Sequence, residues 1–569
     1  MKIRMCGIWA WLYTMGQRQF DTDWILENCV KHLEKRGPEG TRVEEIYGIA
    51  LGMTFGFTRL AINGLKEDNS GMQPFHQGNL AWICNGEIYN AKEIAKRIGY
   101  ENQSGSDCEV LGAYYKYCNG NITKFFQGLD GVYSLVLHDF DTDRIIVGRD
   151  PYGIRPLYYT RTYNGERDGS SYCFSSERKG LEALVAREEI TRPCFSTPRI
   201  LEFPPGEYWI FDGTHGFLGT PWQIKHHTVP WMKHMVSDGW ANTVREGLIK
   251  AVNKRLMTER PVAALLSGGV DSSLIAGLVQ RELKLQGKPP LKTFSIGMEG
   301  STDLKYARMV ADYIASDHTE ILTTADEMFS VIPEVIKDIE SYDITTVRAS
   351  VGNWMVAREI RKRTDCKVVF NGDGSDELFG SYLYFKRAPT DEEFEAESER
   401  LLENISKYDV LRSDRCISSH GLEARTPFLD KLFVGIGMGL PTELRRPNET
   451  RMEKWALRTA FSTMKLLPEE VLWRRKEAFS DGVSCTEKSW FEEIQERIEA
   501  RGLVPENWQK IAEEKFRWGI LDTAFPKTKE AFYYRNIYET HYKATGDYWP
   551  FWMPKWSPET TDPSARTLK

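Results

Sequence analysis

The residues with the most specific chemistry in this chain lie between a short apolar run and a helical pattern. The polar and glycine residues that follow the run 262–266 are Ser267, Gly268, Gly269, Asp271, Ser272 and Ser273. The run predicts a buried strand, the glycines a tight turn, and the pattern from residue 274 onward a helix. Glycines let the backbone approach a phosphate, and a helix N-terminus offers unpaired N–H groups. These residues predict a nucleotide phosphate site, in which Asp271 could hold Mg²⁺.

A second candidate for chemistry is Cys6, which directly follows Met5. If Cys6 becomes the first residue, its α-amine, with an ordinary pKa of about 7.7–8.0, can take the proton of its own thiol. That arrangement is the nucleophile and base of the N-terminal nucleophile hydrolases. Residues 1–4 precede Met5, so we expect either that translation starts at Met5 or that a leader is cleaved. Otherwise this site is inactive.

Three downstream motifs, 59–62, 85–90 and 104–107, stand in the order and approximate spacing of class II glutamine amidotransferases, which the first half of the chain resembles. Arg59 can pair with an amino-acid carboxylate, and Asp107 or Glu87 can hold its ammonium group. The amide of Asn85 and the N–H of Gly86 can form an oxyanion hole. The predicted glutamine-binding residues are Arg59, Leu60, Ala61, Ile62, Asn63, Asn85, Gly86, Glu87 and Asp107.

The glycine loop lacks the Lys-Ser/Thr ending of a Walker loop and resembles the PP-loop of ATP pyrophosphatases. Over nearly its whole length the chain closely resembles the glutamine-dependent asparagine synthetases. Further matching stretches are 294–304, 340–350, 374–380, 423–430 and 475–482. The resemblance implies that glutamine hydrolysis supplies ammonia through an internal channel. It also implies that ATP converts aspartate to β-aspartyl-AMP and pyrophosphate, and that ammonia then displaces AMP.

The resemblance also assigns residues in the second half of the chain. The ATP-binding residues would be Leu265, Ser267, Gly268, Gly269, Asp271, Ser272, Ser273, Ile296, Asn371 and Gly372. Arg348 and Lys476 would neutralise phosphate charge, and Asp271 and Asp376 would hold Mg²⁺. Glu377 can share that role or cap the next helix. The catalytic residues would be Cys6, Asn85, Gly86, Asp373, Arg348 and Lys476.

The chain departs from the family motif Ser-Gly-Glu-Gly, where it has Asn371-Gly372-Asp373-Gly374. Aspartate keeps the carboxylate but shortens its reach by one methylene, around 1.3–1.5 Å. A misplacement of about 1 Å can lower a rate on the order of 100-fold. Asn371 could belong to a compensating shift of the loop. Because Asp373 retains the acid, asparagine synthesis remains the leading hypothesis.

Two domains are predicted to position these residues. Residues 6–211 show short β-type runs with helical patterns near 23–34 and 107–117, which predicts an α+β domain of stacked antiparallel sheets, αββα, like the N-terminal nucleophile hydrolases. Residues 212–236 are the predicted linker. In residues 237–540 strands and helices alternate, which predicts an α/β domain with a doubly wound parallel sheet and a mainly helical C-terminal part. Residues 541–569 form a Pro/Trp-rich tail, which we expect to pack through its aromatics.

The composition of the chain argues against several classes of function. The 569 residues are 41% hydrophobic and 27% charged, typical of a globular protein, and the net charge of −7 argues against nucleic-acid binding. Ten scattered cysteines without a C-x-x-C pair predict reduced thiols and a cytoplasmic location. No apolar run is long enough to span a membrane. The expected partners are small-molecule substrates, with a homodimer implied by the resemblance.

Two alternatives to asparagine synthesis stay open at this point. One is an amide-forming ligase of the same architecture acting on another carboxylate, with Asp373 reshaping its pocket. The other is a homologue without glutaminase activity, dependent on ammonia or regulatory. The residues before Cys6 and the presence of Asp373 in place of the family glutamate suggest it. The identity of the acid that forms an adenylate would separate the first alternative from the leading hypothesis.

Overall fold

The computed structural model describes most of the chain. It leaves out residues 1–5, 17–19, 38, 67–69, 164–169, 192–198, 215, 217, 228–238, 477–481, 485–487, 517–523, 543–548, 561 and 565–569. The segment before Cys6, and with it the question of a free α-amine, therefore lies outside the described residues. So do parts of the predicted linker and tail. Within the described ranges, every helix is too short or too polar to cross a bilayer.

The first half of the chain forms two six-stranded antiparallel sheets. One sheet has the order β10-β8-β9-β1-β3-β2 and the other the order β12-β11-β7-β6-β5-β4. The strands are β1 Gly7–Thr14, β2 Gly40–Tyr47, β3 Leu51–Arg59, β4 Phe75–Gln77, β5 Leu80–Ile88, β6 Gly131–Asp139, β7 Arg144–Arg149, β8 Tyr158–Tyr163, β9 Ser170–Ser175, β10 Leu201–Glu202, β11 Glu207–Asp212 and β12 Trp222–Lys225. β12 lies within the range 212–236, so the sheet continues into the predicted linker.

The side-chain alternation of these strands explains why the sheets stack. On β1, Ala10 and Leu12 pack against Ile83 of β5 in the layer between the sheets. Trp9 and Trp11 point the other way and pack under helices. The outer helices are Thr22–Asn28, Ala91–Ile98, Val110–Tyr117, Ile122–Gly128 and Lys179–Thr191. The predicted four-layer αββα arrangement is therefore present.

Three of these helices, Ala91–Ile98, Ile122–Gly128 and Lys179–Thr191, were not predicted from the sequence. The first two span barely two turns, and Ala91–Ile98 buries only Ala91 and Ile94. Two buried positions are too few to establish a helical period, so the prediction of only two helical patterns was wrong.

The second half is built on a five-stranded parallel sheet with the order β15-β14-β13-β16-β17. Its strands are β13 Val262–Leu265, β14 Lys292–Gly297, β15 Asp317–Leu322, β16 Val368–Phe370 and β17 Glu423–Arg425. Helices cover both faces, because separate apolar clusters contain Ala264 and Ala263, neighbours on β13 that point to opposite faces. Strand order reverses between β13 and β16, the position at which ligands bind in such sheets. The doubly wound fold is as predicted.

Helices make up most of the remaining second half. Those around the sheet are Trp240–Lys254, Val270–Leu285, Thr302–Ile314, Ala325–Ser330, Ile332–Ile339, Ile344–Arg363 and Ser375–Leu378. Those that follow are Asp391–Glu403, Asp409–Ser418, Lys431–Gly439, Thr442–Arg445, Trp455–Phe461, Glu469–Leu472, Trp490–Ala500, Trp508–Phe516 and Lys529–His541. The tail packs through aromatics as expected, with Trp552 5.6 Å from Tyr382 between ring centroids.

Candidate active sites

The thiol of Cys6 lies at the start of β1, beside the end of β3. The N–H of Leu60 donates to Sγ, and Sγ donates to the Leu60 carbonyl, both at 3.3 Å. The carbonyl of Cys6 accepts a hydrogen bond from Nε of Arg36 at 3.0 Å. Burial raises the pKa of the Cys6 thiol to about 12. The thiol is therefore neutral at pH 7 and needs a local base before it can act as a nucleophile.

Asn85 and Gly86, the predicted oxyanion hole, lie on β5. The alternation of β5 points Asn85 to the same face as Ile83, into the layer that also holds β1. Nδ2 of Asn85 donates to Oγ of Ser176 at 3.3 Å, and that oxygen also accepts from the N–H of Ile8 at 2.9 Å. Ser176 thus ties the Asn85 amide to the strand that begins beside Cys6. A side chain at Gly86 would collide with the carbonyl of Val132 on β6.

Glu87, which is buried, and Asp107, which is partly buried, bring two carboxylates to this site. Glu87 accepts from Nδ2 of Asn63 at 3.0 Å, and Arg425 lies 3.3 Å from it. Asp107 accepts from the N–H of Ile88 at 2.6 Å. Burial raises the pKa of Asp107 to about 6, and burial together with the Asp107 charge raises that of Glu87 well above its ordinary value. Asp107 is therefore the better of the two for an ammonium group at neutral pH.

The strip from Arg59 to Asn63 joins this site to the second half of the chain. Arg59 is buried and donates through Nη2 to the Gly64 carbonyl at 2.8 Å. The carbonyl of Ala61 accepts from Nε of Arg260 at 2.9 Å, and that of Ile62 from the N–H of Glu259 at 3.1 Å. Sequence reasoning did not anticipate these last contacts. They hold the predicted glutamine-binding strip against the start of the parallel sheet.

The second site is a cavity of about 320 Å³ at the carboxyl ends of β13 and β16. The predicted residues that line it are Leu265, Ser267, Gly269, Asp271, Ser272, Ile296, Arg348, Asn371, Gly372, Asp373, Asp376, Glu377 and Lys476. Gly268 and Ser273 do not line it. Gly268 has a positive φ of 72° and packs against Tyr306, and the Ser273 side chain is fully buried. Gly268 and Ser273 therefore support the loop on the side that faces away from the cavity.

The glycine loop leads into a helix N-terminus beside the cavity. Gly269 is the N-cap of the helix Val270–Leu285, so the first N–H groups of that helix point toward the cavity. Oγ of Ser267 and Oγ of Ser272 are 3.0 Å apart, which closes the loop on itself. Gly372 packs so closely that a Cβ there would come within 2.8 Å of Asp271 Cβ. The loops after β13 and β16 therefore form one surface.

Lys454, which sequence reasoning missed, lies between the two carboxylates predicted to hold Mg²⁺. Its buried ammonium group contacts Asp271 and lies 2.5 Å from Oδ1 of Asp376, which also contacts Lys476. Burial opposes ionisation of Asp376, but the two ammonium groups outweigh it and lower the pKa of that carboxyl. One cation thus already bridges Asp271 and Asp376.

The same arrangement tests whether these residues fit Mg²⁺. Carboxylates of Asp271 and Asp376 reach a single cation and are the oxygen donors that Mg²⁺ prefers. Within the described residues no group of three or more His, Cys, Asp or Glu could hold a metal. Mg²⁺ usually takes one or two carboxylates and completes its shell with substrate phosphates and water. The pair therefore fits a metal that arrives with a nucleotide.

Asp373 is partly buried at the cavity and paired with Arg412, a second residue that the sequence did not reveal. Nη2 of Arg412 is 2.9 Å from Oδ1 of Asp373 and 2.9 Å from Oδ1 of Asp409. Burial raises the pKa of Asp373, and Arg412 opposes that rise. Nδ2 of Asn371 donates to Oγ of Ser413, the residue after Arg412, at 2.5 Å. The unusual Asn371 and Asp373 therefore both attach to the helix Asp409–Ser418.

Arg348 lines the cavity and donates four hydrogen bonds to two carboxylates. Its Nε and Nη2 donate to Glu530 at 2.8 and 2.6 Å. Its Nη1 and Nη2 donate to Asp562 at 2.9 and 2.7 Å. No local signal in the sequence marks either acid, since they lie 182 and 214 residues away along the chain.

Arg425 on β17 reaches both sites. Its side chain pairs with Glu87 at 3.3 Å, and its carbonyl accepts from the N–H of Asn371 at 3.1 Å. The sequence predicted no strand there, because Glu423–Arg425 is a three-residue strand with a charge at each end. Arg425 is thus bonded both to Glu87, in the site around Cys6, and to the loop that carries Asp373.

Comparison with known proteins gives matches to both halves. Residues 5–229 match the profile of a family described as glutamine amidotransferase domain, and residues 243–396 and 386–559 match that of asparagine synthase. The glutamine-hydrolysing asparagine synthetase of Mus musculus is 40% identical over 586 residues, which cover 99% of this chain and 98% of that protein. That of Homo sapiens is 40% identical over 590 residues with the same coverage.

Proposed function

The chain belongs to the family of glutamine-hydrolysing asparagine synthetases, and from that premise we propose how its two sites divide the reaction. The enzyme makes L-asparagine from L-aspartate and L-glutamine with ATP, and it releases AMP, pyrophosphate and glutamate. The observation that carries the assignment is the convergence of the 267–273 loop, Asp373 and seven Arg or Lys side chains on one cavity. These cations are Arg348, Arg412, Lys454, Arg458, Arg474, Arg475 and Lys476.

Glutamine hydrolysis is assigned to the site around Cys6. The thiolate attacks the side-chain carbonyl of glutamine, and the Asn85 amide and Gly86 N–H stabilise the oxyanion. Ammonia leaves as this intermediate collapses to a glutamyl thioester, and water then hydrolyses the thioester to glutamate and the free thiol. Because burial keeps the thiol protonated, the proton must go to a nearby base. The α-amine of Cys6 has that role when Cys6 is the first residue. Arg59 and Asp107 would hold the carboxylate and ammonium groups of the substrate.

Ammonia released there is used at the second site. The domains proposed are residues 6–211 for hydrolysis and 237–540 for synthesis, followed by the tail 541–569. They are joined by 212–236, a range that also supplies strand β12 to the sheet of the first domain. Ammonia in bulk water at neutral pH is protonated and no longer a nucleophile, so transfer within the protein is required. The contacts of Ala61 with Arg260 and of Ile62 with Glu259 support a fixed orientation of the two sites.

Aspartate activation is assigned to the cavity. A β-carboxylate oxygen of aspartate forms a bond to the α-phosphorus of ATP, and the bond to pyrophosphate breaks. The 267–273 loop and its helix N-terminus hold the departing phosphates, and Arg348 and Lys476 balance their charge. Leu265 and Ile296 would contact the adenosine. Ammonia then attacks the acyl carbon and AMP leaves, and the carboxylate of Asp373 would accept a proton from the attacking ammonia.

Mg²⁺ is the proposed cofactor. It would be held by Asp271 and Asp376 together with ATP phosphates, and it would offset phosphate charge during aspartate activation. We also propose a cytoplasmic homodimer that binds neither nucleic acid nor membrane. The location is supported by the cysteines that the structure describes, all of which are free thiols.

The direct test gives the purified protein ATP, Mg²⁺, aspartate and ammonium without glutamine. We expect asparagine and AMP in equal amounts. Because ammonium bypasses the Cys6 site, this assay tests only whether the cavity is active with Asp373 in place of the family glutamate. ATP binding without asparagine formation would contradict the assignment and favour a ligase for another carboxylate, which a panel of amino-acid carboxylates would identify.

A further inference from the structure

The C-terminal tail places a carboxylate on a cation of the nucleotide cavity. A guanidinium group has five N–H donors. In Arg348, four of them form the bonds to Glu530 and Asp562 described above. Two carboxylates on one guanidinium leave a net negative charge. A phosphate that approaches Arg348 in this arrangement would meet one remaining N–H and two like charges.

Asp562 is the partner of Arg348 that can be displaced. Glu530 lies in the helix Lys529–His541, and its side chain is 1% exposed, whereas that of Asp562 is 14% exposed. The described residues from 549 to 564 contain no helix or strand. Releasing Asp562 breaks a partly solvated ion pair, while releasing Glu530 would leave a buried carboxylate without its cation.

The tail reaches Arg348 from anchors near the cavity. The carbonyls of Trp549 and Pro550 accept from the hydroxyls of Tyr342 and Tyr408, both at 2.8 Å. The N–H of Trp552 donates to Oδ1 of Asp343 at 2.7 Å. Beyond these anchors, the chain runs on so that Trp552, Pro563 and Ser564 line the cavity itself.

We propose that Asp562 occupies the phosphate-binding face of Arg348, a residue of the nucleotide cavity, and that ATP must displace Asp562 to bind. The tail is thus an internal competitor of the nucleotide phosphates. Because only the displaced state is competent, the apparent affinity for ATP is lowered by the fraction of molecules in that state. The inference rests on the proposed function of Arg348 in holding ATP.

Asp562→Asn in the full chain tests this competition, since it removes the charge and keeps the size. We expect the apparent Kd for ATP with Mg²⁺, measured by calorimetry without aspartate or ammonia, to fall at least about five-fold, with KM for ATP falling in parallel. The matched control is Glu559→Gln, which removes a tail carboxylate that pairs with Arg387 and does not line the cavity. That control should leave both constants unchanged.

A lower kcat with unchanged Kd and KM in Asp562→Asn would overturn the proposal, because it would mean that Asp562 positions Arg348 for catalysis. Hydrogen exchange of the unaltered protein gives a second measurement that needs no variant. The N–H of Ser564 donates to Oδ1 of Asp562 at 2.8 Å, so peptides covering 562–564 should exchange faster once ATP and Mg²⁺ are added. Unchanged exchange at saturating ATP would also overturn the proposal. If the unaltered protein binds no ATP at all, the proposed function itself fails.

Discussion

Arg412 joins Asp373 to Asp409 through a single nitrogen, with Nη2 2.9 Å from a carboxylate oxygen of each. The arrangement fixes the shorter acid of this chain at the cavity. Burial raises the pKa of Asp373, which moves it toward the range in which a carboxylate is an effective base. The ion pair with Arg412 also ties Asp373 to the helix Asp409–Ser418, so the position of Asp373 does not depend on its own loop alone.

Asp373→Asn should lower kcat of ammonia-dependent asparagine synthesis by roughly 100-fold, because the amide cannot accept a proton and general base catalysis contributes about 10²–10⁴-fold. Asparagine formation with saturating ATP, aspartate and ammonium is the measurement. Asp317→Asn, on the exposed edge strand β15, is the matched control. A decrease below about three-fold would show that Asp373 does not act in the reaction.

Asn371 and Asp373 should be energetically coupled, because Asn371 bonds to Ser413 and Asp373 bonds to Arg412, its neighbour on the same helix. We expect Asp373→Glu alone to lower kcat about ten-fold, because an added methylene must fit a partly buried site. Asn371→Ser combined with Asp373→Glu restores the motif of the family and should recover most of that loss. Additive effects of the two substitutions on kcat, measured in a double-mutant cycle, would contradict energetic coupling between positions 371 and 373.

Cys6→Ala should abolish glutamine-dependent synthesis and leave the ammonia-dependent rate within about two-fold, because the two chemistries use separate sites. Asparagine formation with each nitrogen source is the measurement. A chain made to begin at Cys6 should hydrolyse glutamine, while one that retains residues 1–5 should not, since its Cys6 nitrogen is an amide. Equal glutaminase rates in these two chains would show that a different group takes the thiol proton.

The KM for glutamine should depend on the ionisation of Asp107, whose pKa is about 6. The ionised form holds the substrate ammonium, so binding is strong above that pKa and weakens as the pH falls through it. We expect KM to double at pH 6 and to rise about ten-fold at pH 5 relative to pH 8. Glutaminase assays across this range are the measurement, and Asp107→Asn should have a uniformly high, pH-independent KM. An unchanged KM at pH 5 would exclude this role.

Lys454→Met should destabilise the protein by about 1–3 kcal/mol, because Asp271 loses its cation while Asp376 keeps only Lys476. Lys292→Met is the control: Lys292 pairs with Asp317 at 2.8 Å on the surface, where an ion pair contributes about 0–1 kcal/mol. Urea denaturation with and without Mg²⁺ measures both effects. Mg²⁺ should recover part of the loss in Lys454→Met. No recovery would argue against a metal at these two carboxylates.

The sequence by itself determined those features that depend on neighbouring residues. A short apolar run, two glycines and a helical pattern specify a strand, a turn and a helix N-terminus, so the position of the 267–273 loop follows from local pattern alone. The alternation of strands and helices likewise specified a parallel sheet, and a parallel sheet places the loops after β13 and β16 side by side at its switch point. Resemblance to a family added the proposed roles of Arg348, Asp373 and Lys476.

Only the tertiary structure decided which charges meet at each site. Lys454, Arg412 and Asp562 come from segments with no local signature, and each became recognisable only when packing brought it to a carboxylate or to Arg348. Burial is likewise a property of the folded state, so the high pKa of the Cys6 thiol and the raised pKa of Asp107 could not be read from residue types. Electrostatic partners and desolvation depend on distances in space, whereas sequence patterns record distances along the chain.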